Sequence, residues 1–200
     1  MATIGRRQVM AGAAALAASP ALAQAANPKV AITTGHGVIV AEIFVDKAPI
    51  TAGNFLRYVD TRRYDGAQIY RATRAQGAPD IGFIEAGLPN HPERLLPPIK
   101  HEPTTLTGLK HLDGTLSLAR FAPGTGRADF TILVGDAPGM DADPSQPGDN
   151  QGFAAFGRVV DGMAVVKAIM ALPTGGVARN PVMQGQILDP PVSIVSMRRV

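Results

Sequence analysis

The sequence predicts a mainly β fold, a barrel of short strands that is capped by two helices. Short runs rich in Val, Ile, Phe and Thr recur along the chain, and Gly- and Pro-rich turns separate them. This pattern is typical of a β-barrel. Residues 49–61 and 161–171 show instead the apolar spacing of an amphipathic helix.

The first 25 residues have the composition of an export signal. Arg6 and Arg7 form a basic start, residues 9–23 form an apolar run of small side chains, and Ala-x-Ala cleavage patterns lie at its end. The paired arginines favour the twin-arginine route over the general secretory route, and an ordinary N-terminal helix is the remaining alternative. We therefore expect residues 1–25 to be removed and residues 26–200 to form one domain in the periplasm.

The predicted mature chain is nearly neutral and has no cysteine. Removing Arg6 and Arg7 from the 19 basic residues leaves 17 against 16 acidic residues, a net charge of +1. No basic patch with interleaved aromatic side chains is present in the sequence, so no nucleic-acid partner is expected. Without disulfides, the stability of an exported chain must come from packing. No second long apolar run follows residue 25, so we expect no membrane association after signal removal.

Local patterns predict the individual elements. Gly35 and Gly37 supply the positive φ values of a tight turn, so the runs on either side of them predict a hairpin. Pro49 suits the first turn of a helix, and Asp161 fits the N-cap of the second helix. Residues 88–113 carry five prolines and predict irregular structure. Strands are predicted at residues 30–34, 38–45, 68–71, 81–84, 114–120, 129–134, 153–160 and 192–200, with a Gly- and Pro-containing loop at 72–80.

Several short motifs lie in a fixed order between residues 69 and 163. They are Ile69-Tyr70-Arg71, Ile84-Glu85-Ala86-Gly87, residues 114–120, Asp129-Phe130-Thr131-Ile132 and residues 156–163. In order and spacing they resemble Phe-His-Arg, Gln-Gly-Gly, Gly-x-Leu-Ser-Met-Ala-Asn, Gln-Phe-Phe-Ile and Phe-Gly-Lys-Val-x-x-Gly-Met of the cyclophilins. Cyclophilins are peptidyl-prolyl cis-trans isomerases, and the likeness covers almost the whole predicted mature chain.

The resemblance implies a fold, an activity and partners. The implied fold is an eight-stranded antiparallel β-barrel capped by two α-helices. The implied activity is peptidyl-prolyl isomerisation that assists the folding of exported proteins, with no cofactor and no metal. The expected partners are proline-containing polypeptide segments of those proteins, and the chain itself is expected to be a monomer.

The resemblance also implies a set of site residues. Arg71 occupies the position of the family's catalytic arginine, and Tyr70 stands in place of the histidine before it. An isolated strand arginine more often faces solvent, and the order of the surrounding motifs is what favours a catalytic role. More residues than usual separate Arg71 from the Gln-Gly-Gly-like motif. The implied substrate-binding residues are Phe83, Glu85, Ala119, Arg120, Asp129, Thr131 and Phe153.

Several of these residues depart from the family pattern. Glu85 and Asp129 stand where the family has glutamines, and Thr131 stands where it has a pocket phenylalanine. Arg120 replaces an asparagine and Phe153 replaces a histidine. Strand alternation should place Asp129 and Thr131 on the substrate side, with their neighbours facing the core. These departures remove aromatic surface from the proline pocket and add two acids.

Prolyl isomerisation requires little from the protein chemically. Rotation about the Xaa–Pro bond breaks amide resonance over a barrier of about 18–20 kcal/mol. A guanidinium that donates a hydrogen bond to the prolyl nitrogen stabilises the twisted state more than the planar state. Arg71 suits this role because arginine stays charged and holds its donors in a fixed geometry. The departures in the pocket leave one alternative, a cyclophilin-like proline-segment binding module or chaperone with little catalytic activity.

Two further clusters are expected to be solvated loop residues rather than metal sites. The spacing of the acidic residues does not match the EF-hand calcium loop and lacks its terminal glutamate. The histidines lie ten residues apart on the proline-rich segment. The clusters are Asp136, Asp141, Asp143 and Asp149, and His91, His101 and His111.

Overall fold

The computed structural model describes Met1 and residues 26–200, so the predicted export signal with Arg6 and Arg7 lies outside the described residues. Eight strands are present in this part of the chain. They are β1 (Lys29–Thr34), β2 (Gly37–Ile43), β3 (Gln68–Ala75), β4 (Ala78–Gly87), β5 (Thr115–Leu118), β6 (Phe130–Val134), β7 (Ala154–Asp161) and β8 (Ile187–Arg199). All neighbouring strands are antiparallel, and they close a barrel in the order β1-β2-β7-β5-β6-β4-β3-β8.

The barrel interior is filled by side chains that alternate along the strands. On β2, Ile39, Ala41 and Ile43 are fully buried, whereas Val38 on the opposite face is exposed. A period of two is what a strand with one face on the core requires. The other strands contribute large buried side chains to the same core: Ile32, Ile69, Ile84, Leu116, Phe130, Ile132 and Phe156. The predicted eight-stranded barrel is confirmed.

Within residues 26–200, three α-helices accompany the barrel: α1 (Pro49–Asp60), α2 (Thr104–Thr107) and α3 (Met163–Met170). Helix α1 packs Phe55 onto the core, with ring centroids 5.3 Å from Phe130 and 5.1 Å from Phe156. Aromatic pairs at this separation add to the stabilisation from buried area. Helices α1 and α3 are the two predicted helices, and α2 is a short additional turn of helix.

The start of α3 differs from the prediction. Asp161 is the last residue of β7, and Gly162 takes the N-cap position with φ of 88°. A Cβ at Gly162 would lie 2.4 Å from the carbonyl oxygen of Val38, so a glycine is needed both for φ and for space. The prediction of Asp161 as N-cap is therefore wrong, and its carboxylate instead accepts a hydrogen bond from the Gly162 N–H.

Strands β3 and β4 form one long hairpin, so the prediction of a loop at residues 72–80 is wrong. Pairing continues to the end of β3, and Gly77, with φ of 79°, lies in a two-residue turn between the strands. Gly82 lies within the paired region, where a Cβ would come 1.9 Å from the carbonyl oxygen of Thr73. The extra residues after Arg71 therefore extend the hairpin. The close approach of the Thr73 backbone explains why residue 82 is a glycine.

Residues 88–113 are less irregular than predicted, because they include α2 and a 3₁₀ turn (Pro92–Arg94). They also supply Glu102, which is 3% exposed and lies at the start of α1. Its carboxylate accepts hydrogen bonds from the backbone N–H of Ile50 (3.1 Å) and of Thr51 (2.6 Å), and from the Thr51 hydroxyl (2.7 Å). Ala48, the N-cap of α1, has no side-chain acceptor, so Glu102 satisfies and neutralises the helix N-terminus from elsewhere in the chain.

We expect Glu102→Ala to lower the free energy of unfolding by about 2–3 kcal/mol, because buried N–H groups lose a charged acceptor. Urea unfolding followed by circular dichroism measures the change. Glu93→Ala, at an exposed glutamate in the same segment, is the matched control and should change stability by less than about 0.5 kcal/mol. Equal stability of Glu102→Ala and the unmutated protein would show that α1 does not depend on this carboxylate.

Candidate functional site

A cleft of about 620 Å³ opens on the outer surface of the barrel beside β3, β4 and β6. Arg71 on β3 is paired with Glu85 on β4, which is paired with Thr131 on β6. These three side chains form a row across the sheet at the cleft. All eight predicted site residues line it: Arg71, Phe83, Glu85, Ala119, Arg120, Asp129, Thr131 and Phe153. The structure therefore brings the predicted residues together, and their roles in binding and catalysis stay predictions.

A β-bulge in β3 turns two consecutive side chains toward the cleft. Ile69 pairs with Ala86, but the next pair on the ladder joins Arg71 to Glu85, so Tyr70 and Arg71 together oppose Glu85. Both side chains line the cleft, although neighbours on a regular strand point to opposite faces. The bulge thus adds the Tyr70 hydroxyl to the site beside the arginine.

The Arg71 guanidinium is fixed from three sides. Its Nη1 atom donates to Glu85 Oε2 at 2.7 Å, and its Nε and Nη2 atoms donate to Gln186 Oε1 at 2.8 and 2.6 Å. The ring of Phe83 lies 5.1 Å from Arg71 Cζ, at the distance of a cation–π contact. With its side chain 15% exposed, the arginine presents a fixed donor group to the cleft rather than a mobile charge.

Gln186 is a site residue that the sequence analysis missed. It precedes β8, and its backbone carbonyl accepts a hydrogen bond from the Ala72 N–H at 2.9 Å. Its side-chain oxygen also accepts from the Thr73 hydroxyl at 3.1 Å, and its amide nitrogen donates to the carbonyl of Val182. No local sequence pattern marks this residue, because its contact with Arg71 arises from the pairing of β3 with β8.

The two acids of the cleft are linked to Tyr70. The tyrosine hydroxyl donates to Glu85 Oε1 at 2.9 Å, and Asp129 Oδ1 accepts from the Leu88 N–H at 3.0 Å. Burial raises the pKa of Asp129 to about 6; the Leu88 N–H opposes this shift and the Glu85 charge adds to it. Burial, followed by the charge of Glu85, likewise raises the pKa of Tyr70. The tyrosine therefore stays neutral and acts as a donor.

Arg120 and Phe153 form the opposite side of the cleft. Arg120 makes two hydrogen bonds of 2.9 Å to Asp149, and its Nε atom donates to the Gly152 carbonyl at 2.8 Å. The ring of Phe153 lies 5.2 Å from Arg120 Cζ. The hydrogen bonds from Arg120 lower the pKa of Asp149 to about 2. The Arg120 side chain thus holds the loop before β7, and Asp149 is paired rather than simply solvated as predicted.

Thr131 faces the cleft and is almost fully buried. Phe130 and Ile132 on either side of it belong to the core, so the predicted alternation along β6 is confirmed. The Thr131 hydroxyl lies 3.4 Å from the Ser117 carbonyl oxygen, at the long end of hydrogen-bonding distance. With a threonine at this position, the large apolar side chains that line the cleft are Phe83, Leu95, Phe121, Met140, Phe153 and Met183.

His111 is buried, contrary to the prediction of a solvated loop histidine. Its Nδ1 atom lies 2.7 Å from Asp141 Oδ1, and its Nε2 atom lies 2.8 Å from Ser117 Oγ. Asp141, also predicted to be solvated, is mostly buried by this contact. Burial is the main reason that the pKa of His111 is lowered, and the Asp141 carboxylate opposes it. Ser117 is 1% exposed, so substrates do not reach its hydroxyl and the network serves the packing behind the cleft.

The fold is that of the cyclophilin-type peptidyl-prolyl cis-trans isomerases. The model of the family described as cyclophilin type peptidyl-prolyl cis-trans isomerase matches residues 29–198, so the chain belongs to this family. Its relatives carry the name of the enzyme, and we conclude that the chain is a peptidyl-prolyl isomerase.

Two relatives and one solved structure illustrate the similarity. The chain is 32% identical to a peptidyl-prolyl cis-trans isomerase of Acinetobacter baylyi over 177 residues, 86% of each chain. It is 36% identical to peptidyl-prolyl cis-trans isomerase B of Escherichia coli over 143 residues, 71% of this chain and 84% of the relative. A cyclophilin-type isomerase of Cryptosporidium parvum, solved in the presence of the dipeptide Ala-Pro, matches with a TM-score of 0.66 at 18% identity. That match covers 86% of this chain and 98% of the other, and it shows the shared fold.

We expect Gln186→Ala to lower kcat about tenfold with little change in KM, because the freed guanidinium leaves its productive orientation. Prolyl isomerisation of a short peptide measures both constants. Gln184→Ala, at an exposed glutamine of the same loop, is the matched control. A rise in KM with unchanged kcat would instead place Gln186 in substrate binding.

Proposed function

We propose that this isomerase assists the folding of exported proteins, and that Arg71 catalyses rotation about Xaa–Pro bonds by donating a hydrogen bond to the prolyl nitrogen. The observation that carries the proposal is the fixed guanidinium at the centre of the cleft. Arginine has five N–H groups, and Glu85 and Gln186 accept from three of them. Two N–H groups of Arg71 therefore have no acceptor among the described residues and remain for a substrate.

Pre-positioning of these donors is what makes the geometry suitable for catalysis. The prolyl nitrogen becomes a better acceptor as the amide twists, so a donor held in place stabilises the transition state more than the ground state. A rate gain of about five decades corresponds to about 7 kcal/mol. Glu85 and Gln186 hold the guanidinium before the substrate arrives, so the orientation is not lost and regained in each turnover.

The apolar side chains of the cleft suit the proline ring. Phe83, Phe153, Leu95 and Met140 line it together with Arg71. Contact with such a surface stabilises a bound apolar ring by about 25 cal/mol for each Å² that is removed from water. Isomerases of this family need neither a covalent intermediate nor a metal for this step, since the chemistry is one of binding and polarisation. The proposed substrates are therefore proline-containing segments in extended conformation.

The alternative function is a proline-segment binding module with slow turnover. The observation that favours it is the Arg71–Glu85 ion pair. The Glu85 carboxylate, 2.7 Å from Arg71 Nη1, partly neutralises the guanidinium and so weakens its interaction with a substrate. The two free N–H groups and the membership of an enzyme family favour catalysis. Peptide binding without measurable turnover would support the binding module.

The proposed site of action is the periplasm, with the chain as a monomer. The composition of residues 1–25 supports export, and the absence of cysteine from the sequence is compatible with an oxidising compartment. Among the helices of the described residues, none has the length and apolar character needed to cross a membrane.

We expect Arg71→Ala to lower kcat/KM by about 10²–10³, the loss associated with one pre-positioned donor, while the barrel stays folded. Arg71→Lys should fail as well, because an ammonium group cannot reproduce the fixed donor geometry. Isomerisation of a proline-containing peptide measures the rates, and circular dichroism checks the fold. Arg158→Ala, at an exposed strand arginine outside the cleft, is the matched control and should retain full activity. A folded Arg71→Ala protein with the unmutated rate would refute the proposed role.

We expect the protein isolated from a periplasmic extract to begin between Gln24 and Asn27, because the Ala-x-Ala patterns end there. Intact-mass spectrometry of the protein produced in a Gram-negative host determines the start. Replacing Arg6 and Arg7 with lysines should block export if the twin-arginine route is used, and should leave it unchanged for the general secretory route. An exported protein that retains Met1 would contradict the predicted cleavage.

A further inference from the structure

Asp129 differs from Glu85 and Asp149, the acids that pair with arginines of the cleft, because no described cation pairs with it. Glu85 is paired with Arg71 at 2.7 Å, and Asp149 is paired with Arg120 at 2.9 Å. Within residues 26–200 no Lys or Arg forms an ion pair with Asp129, although its side chain lines the same cleft. A mostly buried carboxyl group without a cation is costly in its charged form.

The carboxyl group of Asp129 rests on the end of β4. Its Oδ1 atom accepts the Leu88 N–H at 3.0 Å, and a Cβ placed on Gly87 would lie 1.6 Å from the same oxygen. The Asp129 backbone is fixed as well, because its carbonyl accepts from the Ala119 N–H at 2.8 Å. The absence of a side chain at Gly87 therefore creates a defined position for one carboxyl oxygen beside the cleft.

The titratable groups that face Asp129 come from three elements. Glu85 on β4 and Tyr70 on β3 act on it directly, and the two are joined by the hydrogen bond of 2.9 Å. The charge of Asp129 also reaches Tyr58 on α1 and the buried Tyr64. The cations of the same cleft are Arg71, Arg120 and Arg127, of which the first two already have carboxylate partners.

We propose that Asp129 makes peptide binding depend on pH, because in its protonated form it donates a hydrogen bond to a backbone carbonyl of the substrate. A neutral carboxyl group can keep one oxygen on the Leu88 N–H and donate from the other, whereas a carboxylate can only accept. The ionised form therefore repels a carbonyl that enters the cleft. This inference rests on the isomerase cleft proposed above as the peptide-binding site.

Substrate binding then depends on pH in a defined direction. The pKa of Asp129 is raised to about 6, so the neutral form dominates below that pH and is lost above it. Each further pH unit reduces the neutral fraction about tenfold, so KM should rise by up to the same factor. Acidification thus strengthens peptide binding.

The neighbours of Asp129 provide two shifts in opposite directions. The Glu85 charge raises the pKa of Asp129, so Glu85→Gln should move the midpoint of the pH profile below that of the unmutated protein. The Tyr70 hydroxyl lowers the pKa of Asp129, so Tyr70→Phe should move the midpoint upward. A structural role for Asp129 alone would produce neither shift.

The decisive experiment uses N-acetyl-Ala-Ala-Pro-Phe-amide, which has no titrating group between about pH 5 and pH 8. NMR exchange spectroscopy gives its isomerisation rate without a coupling protease, and NMR titration gives its Kd, both across this pH range. The unmutated protein should bind more than about tenfold more tightly at the acid end. Asp129→Asn should bind tightly at every pH, because the amide keeps the acceptor for Leu88 and a permanent donor. Asp80→Asn, at an exposed acid on the β3–β4 hairpin, is the matched control and should keep the pH dependence.

The outcomes separate this inference from the proposed function. A Kd that stays constant with pH, or that falls as pH rises, overturns the role of Asp129 whatever the rate of isomerisation. A pH dependence that survives in Asp129→Asn also overturns it. Binding that follows pH as expected, without isomerisation at any pH, leaves the inference standing and removes the catalytic proposal alone.

Discussion

The pairing of β3 with β8 is the interaction on which the candidate site depends. It closes the barrel, and the same contact brings Gln186 to the guanidinium of Arg71. Without this closure, β3 would be an edge strand. Arg71 would then keep its contact with Glu85 on β4 and lose its hydrogen bonds to Gln186. The stability of the barrel and the orientation of the arginine therefore have a common origin in one strand pair.

Local irregularity then adapts a regular barrel to a site. The bulge at Tyr70 places two neighbouring polar side chains on the outer face, where a regular strand would have placed one. The glycine at 87 leaves room for the Asp129 carboxyl group at the end of the adjacent strand. Each irregularity costs some regular pairing or packing, and each supplies a polar group to the cleft that ideal strands could not supply.

The strands and the cleft residues could be predicted largely from sequence. Period-two alternation can be seen within each strand, and the order of the motifs can be seen along the chain. Phe130 and Ile132 on the core side of Thr131 illustrate this success. Contacts between distant segments could not be predicted in the same way. Gln186 and Glu102 lie 115 and 52 residues from the groups they bind, and neither belongs to a recognisable local pattern. The loop assigned to residues 72–80 was wrong for another reason, since glycine permits close strand pairing as readily as it permits a turn.

The remote cap of α1 has a consequence for the order in which the chain can become structured. The first N–H groups of this helix have their acceptor in Glu102, which is synthesised about fifty residues later. Until Glu102 has been synthesised, the first N–H groups of α1 are hydrogen-bonded to water. The orientation of Phe55, which α1 packs onto the core, is then less well fixed. Strands β1 and β2 also pair with β8 and β7, which come later still in the chain. The N-terminal half of an emerging chain therefore stays incomplete until the C-terminal strands have been made.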